Sequence, residues 1–130
     1  MTMNSRDKGK RGERMWRDQL REAGYNARRG QQYAGGTDSP DVICEELSGL
    51  HQEVKFGNSI QLPAAIRQAT ADANGKPWVV AHKRNREPWL VTMDAALFFA
   101  LLADGIEAIQ SINATQNRHR VGDATQTHKE

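Results

Sequence analysis

The chain has 130 residues, 26% of them charged and 38% hydrophobic, with a formal net charge of +2, which suits one soluble domain with a single core. Its one cysteine, Cys44, excludes an intrachain disulfide, and no Cys/His pair has the spacing of a zinc site. The longest apolar run, Ala95 to Ala103, falls far short of the roughly 18–20 residues that span a bilayer, so no membrane partner is expected.

Residues 1–8 read as a flexible basic arm. They lack the apolar stretch of a secretory signal, so a cytoplasmic protein is expected, in a bacterium or a phage-infected host. From Gly9 to Ala23 the pattern is helical. Trp16, Leu20 and Ala23 make one apolar stripe, and Gly24 closes it. Between Arg6 and Arg29 stand nine Lys or Arg against four Asp or Glu. Such a bias suits a polyanion, most commonly nucleic acid; the plainer reading is a solvated helix face.

Tyr25 to Arg29 is a candidate first strand, and the Gly-rich stretch to Pro40 is a loop. "DVICEE" and "HQEVKF" read as strands, joined by "LSG" as a hairpin. Pro63 opens a helix that runs to about Ala73 and stops at Asn74-Gly75. "PWVVAHK" and "PWLVTM" are two more strands. Thr92 or Asp94 caps a last helix ending near Gly105. That helix is apolar nearly all round, which implies burial on more than one side, in a core or between subunits. Residues 110–130 read as a polar, mobile tail. The folded part, residues 9–109, is then α/β, with a central mixed five-stranded sheet flanked by helices.

Residues two apart on a strand share a face, so Glu53 and Lys55 stand together and Val54 points away. The expected hairpin brings Asp41, at the start of its strand, close to that pair. Neighbouring carboxylates repel unless a proton or cation lies between them. Mg²⁺ binds through one or two carboxylates together with waters and phosphate. A lysine beside it can hold the attacking water or neutralise developing charge. Glu13 lies at the edge of the helix stripe, where a carboxylate needs a partner. The plainer readings are a charged wet face for the strand pair, and for Glu13 a surface pair with Arg17 worth only about 0.2–0.5 kcal/mol.

"GKRGERMWRDQL", "GGTDSPDV" and "EVK", in that order, resemble the PD-(D/E)xK nucleases, and among them the archaeal-type and phage Holliday-junction resolvases. The resemblance covers about Gly9 to Trp89. It implies a restriction-endonuclease-like fold over residues 9–109 and a metal held by Asp41, Glu53, the Val54 carbonyl and Glu13. The metal would be Mg²⁺, with Mn²⁺ substituting. Lys55 would be the catalytic lysine and Thr37 would lie near the scissile phosphate. Gln68 matches a glutamine on the helix after the motif, with Gln61 the other candidate. Arg14 would contact phosphate, as would Arg28 or Arg29. Arg6, Lys8, Lys10 and Arg11 add to the basic surface for the DNA backbone.

The function expected is Mg²⁺-dependent, structure-selective cleavage of DNA, most concretely of a four-way junction, in DNA recombination or repair. A homodimer would match the two scissile strands. Two alternatives stay open. One is another nuclease on the same site: a nicking, repair or restriction-type endonuclease, or an exonuclease. The other is a branched-DNA-binding protein that does not cut. His51 shares the Glu53 face and is a lesser candidate ligand or base. Cys44 reads as a small buried hydrophobe, and Trp16, Trp78 and Trp89 read as core.

Overall fold

The computed structural model describes residues 5–29 and 42–123. The elements run α1 (Ser5–Glu22), β1 (Ala27–Arg29), β2 (Val42–Cys44), a 3₁₀ turn (Glu45–Leu47), β3 (His51–Phe56), α2 (Leu62–Ala73), β4 (Trp78–Lys83), β5 (Leu90–Met93) and α3 (Ala95–Asp123). Thr37 and Asp41 lie outside the described residues, as do the side chains of Arg6 and Arg29. The chain divides into two compact units, one ending at Asp94 and the other beginning at Ala95.

The fold is mixed α/β; among the described residues the strands form a two-stranded and a three-stranded sheet, in place of the single five-stranded one expected. β1 pairs with β2 antiparallel. β3, β4 and β5 form a three-stranded sheet in that order; β3–β4 is parallel and β4–β5 antiparallel. The expected hairpin between β2 and β3 is therefore corrected: among the described residues no ladder joins them. The reason lies in the connection. The 3₁₀ turn takes up Glu45–Leu47, Leu47 packs on the cluster around Leu20 and Cys44, and the His51 amide donates to the Pro77 carbonyl at 2.8 Å. β3 thus starts against the entrance to β4, with α2 as the crossover that a parallel pair requires.

Two close approaches set the layers on β3. Gly12 of α1 sits so near the strand that an added Cβ would lie 2.7 Å from Phe56 Cβ. On the other face α2 presents Ala65, Ala69 and Ala73, all buried, and their small side chains let it pack tightly over Val80. Gln52, Val54 and Phe56 therefore face α1, while His51, Glu53 and Lys55 face α2. A second cluster, Leu20, Ala27, Val42 and Cys44, holds α1 against β1–β2, with Trp16 packed on it. Trp16 also donates to Gln52 Oε1 at 2.9 Å and its ring stands 5.1 Å from that of Trp89.

Two boundaries differ from expectation. α1 begins at Ser5, so Ser5–Lys8 are helical and not an arm; Asp7 in the first turn complements the helix dipole there. α3 continues through Gly105 to Asp123, taking in most of the expected tail. No proline interrupts it, and Gly105 alone costs only about 1 kcal/mol in a helix. Among the described residues, no single helix is long and apolar enough to cross a membrane.

Candidate active site

The site is built on β3. Glu53 is buried at 7% exposure, a placement that costs a carboxylate its hydration unless charged and polar neighbours replace it. Both of its oxygens have such neighbours. Lys55 Nζ lies 3.5 Å from Oε2, and His51 Nε2 lies 3.2 Å from Oε1. Lys55 is held in turn from α2, donating to Gln68 Oε1 at 3.0 Å. The ammonium is thus fixed between a carboxylate and an amide oxygen, which leaves its third N–H for another acceptor.

Beside this row is a cavity of about 500 Å³, lined by Glu13, Glu53, Val54, Lys55, Gln61 and Gln68 among others. Glu13 is buried at 9% exposure. The adjacent Gly12 carries it there: without a side chain at that position, α1 comes close enough to β3 for the next residue to reach the cavity. Two buried carboxylates from separate elements therefore line one polar cavity with a lysine.

Several sequence candidates are brought together here and others are not. Glu13, Glu53, Val54, Lys55 and Gln68 share the cavity. Gln61 lines it too, but it is Gln68 that bonds Lys55. Lys8 reaches the cavity rim. Arg11 lies over the Phe56 ring, 5.5 Å from its centroid. Lys10 is half-buried and Arg14 exposed on the same helix. Arg28 stands apart, paired with Glu45 at 3.2 Å. Asp41 and Thr37 are outside the described residues, so the part assigned to them stays with the motif alone.

Asp72 was missed. With His51 and Glu53 it forms a group whose ligand-type atoms lie within 4.8 Å of one another. The available signal was its spacing: Asp72 follows Gln68 by four residues on α2, and so shares its face. Cys44 is no nucleophile candidate. Burial, and next the Glu46 carboxylate, push its thiol pKa up, and a raised pKa keeps it protonated.

No protein-family model matches the sequence, and no curated protein matches it. Among solved structures, the chain is similar to that of Hjc, a Holliday junction resolvase from the archaeal hyperthermophile Archaeoglobus fulgidus. Identity is 24%, coverage is 64% of this chain and 73% of that chain, and the TM-score is 0.47.

Proposed function

We propose that the protein is a PD-(D/E)xK nuclease, a Mg²⁺-dependent endonuclease that hydrolyses phosphodiester bonds in branched DNA, most concretely a Holliday-junction resolvase. The observation that carries this reading is the buried Glu53, in contact with a Lys55 fixed by Gln68, on a cavity shared with a second buried carboxylate, Glu13. A wet charged face would leave Glu53 and Glu13 exposed.

The donor set fits a hard divalent cation, since Glu13 and Glu53 offer carboxylate oxygens and the Val54 carbonyl adds a neutral one. Asp41, by the motif, completes it. Bound there, Mg²⁺ or Mn²⁺ would supply Lewis-acid polarisation of the phosphate and a more acidic water. The rest is the work of side chains. The Lys55 ammonium orients a water through one N–H and offsets the negative charge that grows on the phosphate oxygens. Gln68 fixes the direction of that ammonium, so its position is set before substrate arrives. Glu13 and Glu53 hold their places because α1 and β3 are packed at Gly12. Lys8, Lys10, Arg11 and Arg14 of α1 contact the DNA backbone, which aligns the scissile bond without reading sequence. The apolar α3 is the surface on which two copies would pair, giving one active site for each cleaved strand.

The test is cleavage of labelled four-way junction, splayed duplex, plain duplex and single strand, in Mg²⁺ and in EDTA, with Asp41→Asn and Lys55→Ala alongside. Paired nicks in the junction alone, lost in EDTA and in both variants, are expected. Equal cutting of plain duplex would keep the site and make the protein a general nuclease. Junction binding without cutting of any substrate would refute the catalytic reading.

A further inference from the structure

Two groups stand out among the positive side chains of α1 and the strands. Arg17 pairs with Asp18, Arg21 lies 4.0 Å from the same carboxylate, and Arg28 pairs with Glu45. A second set gathers at the far end of β3 and forms no ion pair among the described residues. Its centre is Phe56. Arg11 lies 5.5 Å from the ring centroid and Lys83 Nζ lies 5.8 Å from it. The parallel register makes this possible, because Phe56 is opposite Lys83. Lys8 completes the group: its ammonium is 3.8 Å from where a Cβ would sit on Gly57, and the Gly57 amide donates to the Lys83 carbonyl at 3.0 Å. Like charges drawn to one ring and its neighbour repel one another unless an anion offsets them.

The next residues extend the charge. Arg84 and Arg86 are exposed on the turn after β4. That turn is braced: the Asn85 amide donates to Asn58 Oδ1 at 3.0 Å, the Glu87 amide donates to the Arg84 carbonyl at 3.1 Å, and Arg86 sits in the left-handed region at φ 65°. A residue held in that region is fixed by its surroundings. Lys8, Phe56 and Gly57 also line the cavity that holds Glu13, Glu53 and Lys55.

We infer that Lys8, Arg11 and Lys83, gathered around Phe56 and Gly57, bind a backbone phosphate of the DNA next to the one positioned for cleavage, and that Arg84 and Arg86 carry the contact on along the strand. This rests on the reading of the cavity as a DNA-cutting site, and it adds the turn after β4 to the basic helix as a DNA contact. Phe56 acts as a spacer for the cations; with Arg11 and Lys83 against its ring, it is not a platform for bases.

The test is binding of a fluorescent four-way junction in EDTA, where no cutting occurs, measured against salt concentration. The proteins compared are wild type, Lys83→Gln, Arg86→Asn and Arg17→Ala. Asn tolerates the left-handed backbone at position 86, so that variant keeps the turn. Each lost phosphate contact should weaken binding roughly threefold to tenfold and reduce the salt slope by roughly 1. Arg17→Ala, which removes a cation already paired, should leave the slope unchanged. If the wild type binds with a steep salt slope while Lys83→Gln and Arg86→Asn match it, the inference is overturned and the nuclease reading stands. If the wild type binds no DNA, both are overturned. If the variants weaken binding as expected while the wild type cuts nothing in Mg²⁺, the inference holds and the catalytic reading fails.

Discussion

Gly12→Ala tests the link between packing and chemistry at one methyl group. An added Cβ would sit 2.7 Å from Phe56 Cβ, where ordinary contact begins at 3.4 Å, so helix and strand must part by about 0.7 Å, the difference between the two. Phe56 Cβ is next to the backbone and cannot swing aside. Overpacking of this kind costs about 1–3 kcal/mol, while replacing a helical glycine with alanine gains about 0.8–1.0 kcal/mol. The cost wins, and a net destabilisation of about 1 kcal/mol is expected in urea unfolding followed by tryptophan fluorescence. Gly9→Ala is the matched control. A Cβ there meets nothing within 4 Å, so that variant should show the propensity gain alone. Because Glu13 moves with α1, Gly12→Ala should also slow junction cleavage on the order of tenfold or more, since misplacement by about 1 Å can cost about 100-fold. Binding in EDTA should change little. A Gly12→Ala protein as stabilised as Gly9→Ala, and cutting at the wild-type rate, would refute the close approach and its part in placing Glu13.

Gln68→Ala removes the anchor of Lys55 and should lower the cleavage rate about tenfold with little effect on binding; Gln61→Ala, measured alongside, should lower it less. Trp16→Phe deletes the bond to Gln52 and should cost about 1 kcal/mol in the urea midpoint. Burial lowers the pKa of His82, whose Nε2 lies 2.9 Å from Thr92 Oγ1. The unfolded chain therefore takes up its proton first, and stability falls as pH drops below about 6.5 toward the lower folded value. His82→Gln should flatten that part of the urea-midpoint profile. Leu101→Glu places a charge in the apolar stretch of α3, and light scattering should show a smaller species than wild type if two copies pair there.

β3 was legible residue for residue, because "HQEVKF" has strand propensity and a turn before it, and strand periodicity alone puts Glu53 and Lys55 on one face. Glu13 was legible from its place at the edge of the helix stripe. Its route to the cavity was not, since that depends on the backbone contact at Gly12. Gln68 was preferred to Gln61 on its match to the motif, but its bond to Lys55 became visible only with the three-dimensional path of α2. The hairpin expectation failed because "LSG" is ordinary turn sequence in either connection; what decides is the anchoring of His51 to Pro77. The same failure hid the cation group, which needs the parallel register of Phe56 on Lys83. Asp72 went unseen as one more charge on a helix. Thr37 and Asp41 rest on their motif.

The crossover between β3 and β4 also has a consequence for synthesis. Glu13, Glu53 and Gln68 come from α1, β3 and α2, and the ladder that fixes β3 in the sheet is made with β4. A growing chain has translated both carboxylates long before Lys83 leaves the ribosome. Until then β3 lacks its parallel neighbour, and Lys55 has no settled frame in which to meet Gln68. If the cavity cuts DNA as proposed, that competence arrives only with the strand that also delivers Lys83.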